Sequence, residues 1–142
     1  MDLADETVRR VVDAYRAAVL AKDVDAFVGL YAPDLRAFDT WGRWSYDGID
    51  AWRAMVTDWF GSLGDARVVV EVADLRTQVA DGLATAQAFF TYRAEAADGR
   101  TLRAMQNRLT WVLTPRDGAW KIAHEHTSVP LDHETAKGIF TR

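Results

Sequence analysis

The sequence contains no cysteine, only three prolines and only three histidines among its 142 residues. Without cysteine the chain cannot form a disulfide or a thiolate-bound metal site, and the composition gives no sign of an oxidising compartment. It also lacks an apolar run long enough to span a bilayer, and its acidic first residues differ from the basic start of a signal peptide. We therefore expect a soluble, cytoplasmic protein.

Basic residues are fewer than acidic ones, 17 against 21. The formal net charge is −4, and the basic residues are dispersed, which argues against nucleic acid or an anionic membrane as a partner. A chain of this length fits one domain, residues 1–142, with enough buried surface for a core. The six tryptophans are expected in that core or in the wall of a pocket.

Three helices are predicted in the first half of the chain. The first covers residues from about 5 to 21, and the second runs from Val24 to about Tyr31. A third helix follows Gly48 and ends near Gly61 and Gly64. Apolar residues recur at helical spacing in the first helix: Val8, Val11, Val12, Tyr15 and Val19.

Strands dominate the remainder. Leu35–Trp41 and Trp44–Tyr46 are predicted as extended segments, and Asp-Gly pairs then separate longer strands, which favours an antiparallel meander. The longer strands are Arg67–Ala80, Leu83–Glu95, Thr101–Thr114 and Ala119–Val129. Helices followed by strands predict an α+β fold, with the helices on one face of a curved sheet and a conical space between them. The tail after Pro130 is expected to drape over the surface or to fray.

The last of these strands carries a candidate site. Regular alternation would place Ile122, His124 and His126 on one face of the strand, and Glu125 and Thr127 on the other. An apolar wall that ends in imidazoles is typical of a small-molecule pocket, so we expect one or both histidines to line it. If only one does, the other is expected to bond to the backbone or to Ser128.

The order of elements and three local segments resemble the nuclear transport factor 2-like superfamily, which includes ketosteroid isomerases, SnoaL-type cyclases and a kinase association domain. Tyr15 to Asp34 and Leu35 to Asp39 resemble the first helices and the base-bearing strand of the isomerase. Arg103 to Gln106 and Arg116 to Ser128 are similar to the end of the calcium/calmodulin-dependent protein kinase association domain. The resemblance implies a cystatin-like fold, in which a strongly curved, mostly antiparallel sheet forms a cone-shaped barrel against three N-terminal helices.

The resemblance also implies roles for particular residues. Tyr15 matches the tyrosine that holds the oxyanion in the isomerase, and Asp39 matches its proton-shuttling carboxylate. The strand that carries the second carboxylic acid of the isomerase has none here, so Asn107, or His126 before His124, is expected to donate a hydrogen bond instead. Each residue also has a structural alternative, because Asp39 could face solvent or cap a loop, and a buried tyrosine hydroxyl finds a partner with or without a ligand.

Further residues are expected to contact a ligand. Five of them have aromatic or apolar side chains and the sixth, Asn107, has a polar amide, a combination that suits a flat, apolar compound that bears oxygen. They are Trp41, Trp111, Asn107, Met55, Trp59 and Phe90.

These inferences predict an acid–base isomerase or cyclase that moves a proton next to a carbonyl group and requires no cofactor. The alternative is a non-catalytic ligand-binding or oligomerisation module like the kinase association domain. A metal site on His124 and His126 is a third possibility, but two ligands do not complete a site, and we predict no metal. The resemblance implies a homodimer that pairs through the outer face of the sheet.

Overall fold

The computed structural model describes residues 3–142, with side chains from Glu6 onward. Three helices precede most of the strands: α1 (Leu3–Ala21), α2 (Val24–Val28) and α3 (Ile49–Gly61). Two shorter strands lie between α2 and α3 in the chain, and four long strands follow α3. The strands are β1 (Tyr31–Phe38), β2 (Tyr46–Asp47), β3 (Arg67–Ala80), β4 (Leu83–Glu95), β5 (Thr101–Arg116) and β6 (Ala119–Ser128).

The strands form one curled sheet in the order β2-β1-β6-β5-β4-β3. The pair β1–β6 is parallel, and every other neighbouring pair is antiparallel. The sheet curls around the helices without closing on itself, and this confirms the predicted cystatin-like α+β fold. None of the helices within residues 3–142 is both long and apolar enough to cross a membrane.

The second helix is shorter than predicted, and the first strand begins earlier. Asp23 caps α2 by accepting a hydrogen bond from the Ala26 N–H, and the helix ends at Val28. Tyr31, expected at the end of this helix, begins β1 instead. Pro33 lies within β1 where the pairing with β6 shifts register. A residue without an N–H is tolerated there because the ladder is already interrupted.

Aromatic side chains fill the space between the helices and the concave face of the sheet. Phe27 of α2 is 1% exposed and lies at the centre of this core. Its ring is 5.1 Å from Tyr15 of α1, 5.3 Å from Tyr31 of β1 and 5.7 Å from Phe60 of α3, measured between centroids. These contacts join three helices to the sheet, and the cone therefore keeps its shape through packing.

The chain after β6 folds back along the sheet, and we call residues 129–142 the C-terminal strap. Leu131 and Gly138 form a β-bridge within it. The Gln106 N–H donates a 2.7 Å hydrogen bond to the Phe140 carbonyl, and the Gln106 side-chain oxygen accepts one of 2.6 Å from the Arg142 N–H. Of the two expectations for the tail, draping is therefore correct and fraying is wrong.

Candidate functional site

A cavity of about 700 Å³ lies between the helices and the concave face of the sheet. Its walls are mainly apolar and are formed by Phe27, Trp52, Met55, Trp59, Leu63 and Val68. Its polar lining comes from Tyr15, Asp39, Tyr46, Tyr92, Arg103, Asn107, Glu125 and Thr127. An apolar cavity of this size with a few convergent polar groups is typical of a small-molecule site.

A β-bulge in β6 decides which side chains enter the cavity. Leu113 pairs with Ile122, and Val112 pairs with His124, so Ala123 is an extra residue on β6. An extra residue reverses the alternation beyond it. Ile122 is buried on the concave side, and after the bulge it is Glu125 and Thr127 that are buried there, at 2% and 4% exposure.

Glu125 is the most deeply placed carboxyl group of the cavity. Its Oε1 accepts hydrogen bonds of 2.7 Å from the Tyr31 hydroxyl and 2.8 Å from the Trp111 indole N–H. Burial raises the pKa of Glu125 to about 7, although these two donors oppose the shift, and the charge of Asp39 adds to it. Glu125 can therefore hold or release a proton near neutral pH.

Asp39 follows β1 and lines the same cavity. The Thr127 hydroxyl donates a 3.1 Å hydrogen bond to its Oδ1, and the Trp41 N–H lies 3.4 Å from its Oδ2. Burial raises the pKa of Asp39, whereas hydrogen bonds from Thr127 and from the backbone of Trp41 and Thr40 lower it. Burial is the larger effect, so the pKa of Asp39 is raised on balance, and the donors limit this rise by stabilising the carboxylate, which is the form that accepts a proton.

Two tyrosines place hydroxyl groups beside these carboxyl groups. The oxygens of Tyr15 on α1 and Tyr92 on β4 are 2.8 Å apart, so one hydroxyl donates to the other. Burial raises the pKa of both phenols, and the negative charge of Glu125 adds to the shift. Both hydroxyls therefore keep their protons. One O–H is used in the hydrogen bond between the two tyrosines, and the other is left to donate to a further acceptor.

The predicted ligand-contacting residues divide into two groups. The structure places Trp41, Met55, Trp59 and Asn107 on the cavity lining. Asn107 is 8% exposed, and its Oδ1 has no hydrogen-bond partner among the described residues.

Phe90 and Trp111 do not form part of the lining, and their predicted contact with a ligand is wrong in this geometry. Both lie behind it, at 1% and 0% exposure. Their rings pack edge to face with centroids 5.8 Å apart, and Tyr15 packs against each of them at 5.6 Å. Since the three rings contact one another, Phe90 and Trp111 support Tyr15 from below the cavity floor.

The expectation that one or both of His124 and His126 line the cavity is wrong. Because Ala123 reverses the alternation, both imidazoles lie on the outer face of the sheet beside Phe38, with ring centroids 5.1 and 5.4 Å from that ring. The His124 Nδ1–H donates a 2.6 Å hydrogen bond to the Arg36 carbonyl. Within the described part of the chain, no group of three or more His, Asp or Glu side chains is arranged to hold a metal ion.

The mouth of the cavity is covered by a stacked pair of rings. Trp41, after β1, and Phe140, in the C-terminal strap, lie parallel within 3°, with centroids 5.2 Å apart, and both line the cavity. Within the strap, the Phe140 ring lies against Gly138, where a Cβ atom would be 2.8 Å from it. Glycine at this position allows Phe140 to fold over the mouth.

Sequence reasoning missed Glu125, Tyr92 and Thr127 as cavity residues. For Glu125 and Thr127 the cause is the bulge, which no local feature announces; the small side chain of Ala123 is compatible with a bulge but does not specify one. Tyr92 lies on the inner face of a correctly predicted strand, in register with Met105. Strand parity and the buried Phe90 could have identified it, because residues two apart share a face.

A curled sheet packed against three helices around a cavity defines the nuclear transport factor 2-like, or cystatin-like, class of folds. A model of the SnoaL-like domain family matches residues 8–132. The chain belongs to this family, as the resemblance predicted. No functionally curated protein is similar enough in sequence to count as a match.

Several solved structures share the fold. A nuclear transport factor 2-like protein of unknown function from Pseudomonas putida is 28% identical, with 98% of this chain and 95% of that chain covered and a TM-score of 0.85. A protein like the calcium/calmodulin-dependent protein kinase II association domain, from Xanthomonas campestris, is 22% identical over 90% and 88% of the chains, with a TM-score of 0.73. Aln2 from a Streptomyces species is 14% identical over 90% and 91%, with a TM-score of 0.79.

Proposed function

We propose that this protein is an acid–base enzyme, an isomerase or a cyclase, that acts on an apolar metabolite with a carbonyl group and requires no cofactor. The observation that supports this proposal is the convergence of Asp39, Glu125 and the Tyr15–Tyr92 hydroxyl pair on one mainly apolar cavity. Membership in a family with isomerases and cyclases is consistent with it.

Proton abstraction is the first step of the proposed reaction. The Asp39 carboxylate removes a proton from the carbon next to the carbonyl, and the electron pair of the C–H bond moves into the carbonyl group to give an enolate. The Tyr15–Tyr92 pair donates a hydrogen bond to the enolate oxygen, where negative charge develops. In an isomerase the proton returns to a different carbon; in a cyclase the enolate carbon attacks a second carbonyl.

The two carboxyl groups are suited to different parts of this reaction. Three donors, the Thr127 hydroxyl and the backbone N–H groups of Trp41 and Thr40, stabilise the Asp39 carboxylate and limit the rise in its pKa that burial causes, which suits Asp39 to the role of base. Glu125, with a pKa of about 7, is partly protonated at neutral pH and can supply a proton. Environments that separate the pKa values of two neighbouring carboxyl groups assign one as base and the other as acid.

Hydrogen–deuterium exchange of a bicyclic aromatic ketone such as tetralone provides a direct test, because exchange at the carbon next to the carbonyl requires only the first step. NMR in deuterated buffer should show catalysed exchange with the wild-type protein, and Asp39→Asn should slow it by at least about a hundredfold. Asp47→Asn is the matched control, because Asp47 is an exposed carboxylate on β2 away from the cavity. Equal rates of catalysed exchange with Asp39→Asn and with the wild type would contradict the proposal.

The alternative is a ligand-binding or oligomerisation module without catalysis. Tetralone that binds in the cavity but exchanges no faster than in buffer would favour this alternative. A ring-shaped or other large assembly in solution would favour it further.

Homodimerisation through the outer face of the sheet belongs to the same proposal. That face carries the cluster of Arg36, Phe38, His124 and His126, in which the guanidinium of Arg36 lies 4.9 Å from the centre of the Phe38 ring. Sedimentation should give twice the mass of the chain, and Phe38→Glu should reduce it to the mass of one chain. A cytoplasmic location is also proposed, because an acidic, cysteine-free chain suits a reducing compartment.

A further inference from the structure

Among the twenty residues that line the cavity, four are exposed and define its mouth: Trp41, Gly42, Arg103 and Ala104. Of these four residues, only Arg103 carries a charge. The other charged lining residues, Asp39 and Glu125, are carboxyl groups placed deeper in the cavity. The cavity is therefore polarised, with acidic groups inside and one guanidinium at the opening.

The position of Arg103 follows from the register of β5. Arg103 pairs with Ala94 and Met105 pairs with Tyr92, with no shift between them. Residues two apart on a strand share a face, so Arg103, Met105 and Asn107 all project from the concave side. Arg103 is thus the outermost member of a row of side chains that leads from solvent to the interior of the cavity.

Arg103 lacks an acidic partner among the described residues. Within the described part of the chain it makes no ion pair and no hydrogen bond, whereas Arg93, which pairs across β4 and β5 with Ala104, bonds to Glu71 and Glu95. A guanidinium presents a planar fork of N–H donors that matches a carboxylate in two parallel hydrogen bonds. An unpaired guanidinium at the rim of an apolar cavity is suited to a ligand that carries such a group.

We infer that the cavity takes a ring-bearing, apolar carboxylic acid, whose carboxylate stays at the mouth on Arg103 while its apolar body extends inward toward Asp39. The buried acidic groups oppose insertion of the ligand with the carboxylate first, and the aromatic walls favour burial of the body. One orientation is selected, and it directs the end of the ligand remote from the carboxylate to Asp39 and the tyrosine pair. This inference rests on the proposed function in one respect, namely that a ligand binds in this cavity, and it does not depend on the acid–base reaction.

Naphthylacetate and its neutral amide are suitable probes, because they share a ring system and differ in charge. Calorimetric titration of the wild-type protein should show tighter binding of naphthylacetate by about fivefold, as expected for a partly solvated ion pair. Added sodium chloride should weaken this preference through screening. Arg103→Gln should abolish the preference and leave the affinity for the amide nearly unchanged.

Arg108→Gln is the matched control, because Arg108 is an exposed arginine on the same strand that lies on the outer face and bonds to Ser128. This variant should keep the wild-type preference for the acid. The inference is overturned if neither probe binds, if the wild type does not distinguish them, or if Arg103→Gln keeps the preference. Failure of the ketone exchange test with the carboxylate preference intact would count against the acid–base activity alone.

Discussion

The indole N–H of Trp111 donates a 2.8 Å hydrogen bond to Oε1 of Glu125 from the residue directly opposite it in the β5–β6 pair. Both side chains are almost completely buried. A carboxyl group at this depth needs donors to remain ionisable. Trp111 and Tyr31 provide these donors.

The free energy of unfolding should depend on pH through the protonation of Glu125. Its pKa is raised from 4.5 to about 7, so between these values the folded state keeps a proton that the unfolded state releases. The free energy of unfolding should therefore fall as the pH rises through this window, by roughly 3 kcal/mol. Urea denaturation at about pH 4 and about pH 8 measures this decrease in the free energy of unfolding. In Glu125→Gln the decrease should be largely absent. Glu134→Gln, at an exposed glutamate of the strap, should keep the wild-type dependence. Identical pH dependence in Glu125→Gln and the wild type would contradict the assignment.

Loss of the Tyr31 hydroxyl should raise the pKa of Glu125 further. Tyr31→Phe removes a 2.7 Å hydrogen bond that favours the carboxylate, and an increase of roughly one unit is expected. NMR titration of the side-chain carboxyl carbon measures it. Tyr46→Phe is the control, since Tyr46 also lines the cavity but is not bonded to Glu125. A pKa that is unchanged or lower in Tyr31→Phe would be inconsistent with this role.

The hydroxyl pair should act as a unit in the proposed reaction. Tyr15→Phe and Tyr92→Phe each break the 2.8 Å contact between the two oxygens. Each should slow the catalysed exchange of tetralone by roughly a hundredfold, and the double variant should lose much less than the product of the two effects. Circular dichroism checks that the fold is retained. Full activity in both single variants would exclude the pair as the group that stabilises the enolate.

Gly138 should control how the strap covers the cavity. A Cβ atom there would lie 2.8 Å from the Phe140 ring, so Gly138→Ala should displace Phe140 from Trp41 at a cost of roughly 1–3 kcal/mol. Amide exchange of Gln106, whose N–H bonds to the Phe140 carbonyl, should become faster. Gly61→Ala is the control, because a Cβ atom at Gly61 has no neighbour within 4 Å. Equal exchange in both variants would show that the strap tolerates the methyl group.

Much of the fold can be predicted from local sequence pattern. The stripe of Val8, Val12 and Val19 predicts α1, and the Asp-Gly turns predict the boundaries of the long strands, because periodicity and turn chemistry depend on neighbouring residues. The placement of Asp39 and Tyr15 on the cavity follows from the family resemblance. The end of the second helix was predicted wrongly, because Tyr31 begins β1 and α2 ends at Val28.

What the sequence determined by itself is the order of helices and strands, the inner face of each regular strand, and part of the apolar lining of the space between them, including Met55 and Trp59. Only the tertiary structure decided which face of β6 enters that space. The bulge at Ala123 arises from the pairing of β6 with β5, a relation between distant segments that strand alternation cannot encode. It turns His126 outward and Glu125 inward, where burial raises the pKa of Glu125 to about 7.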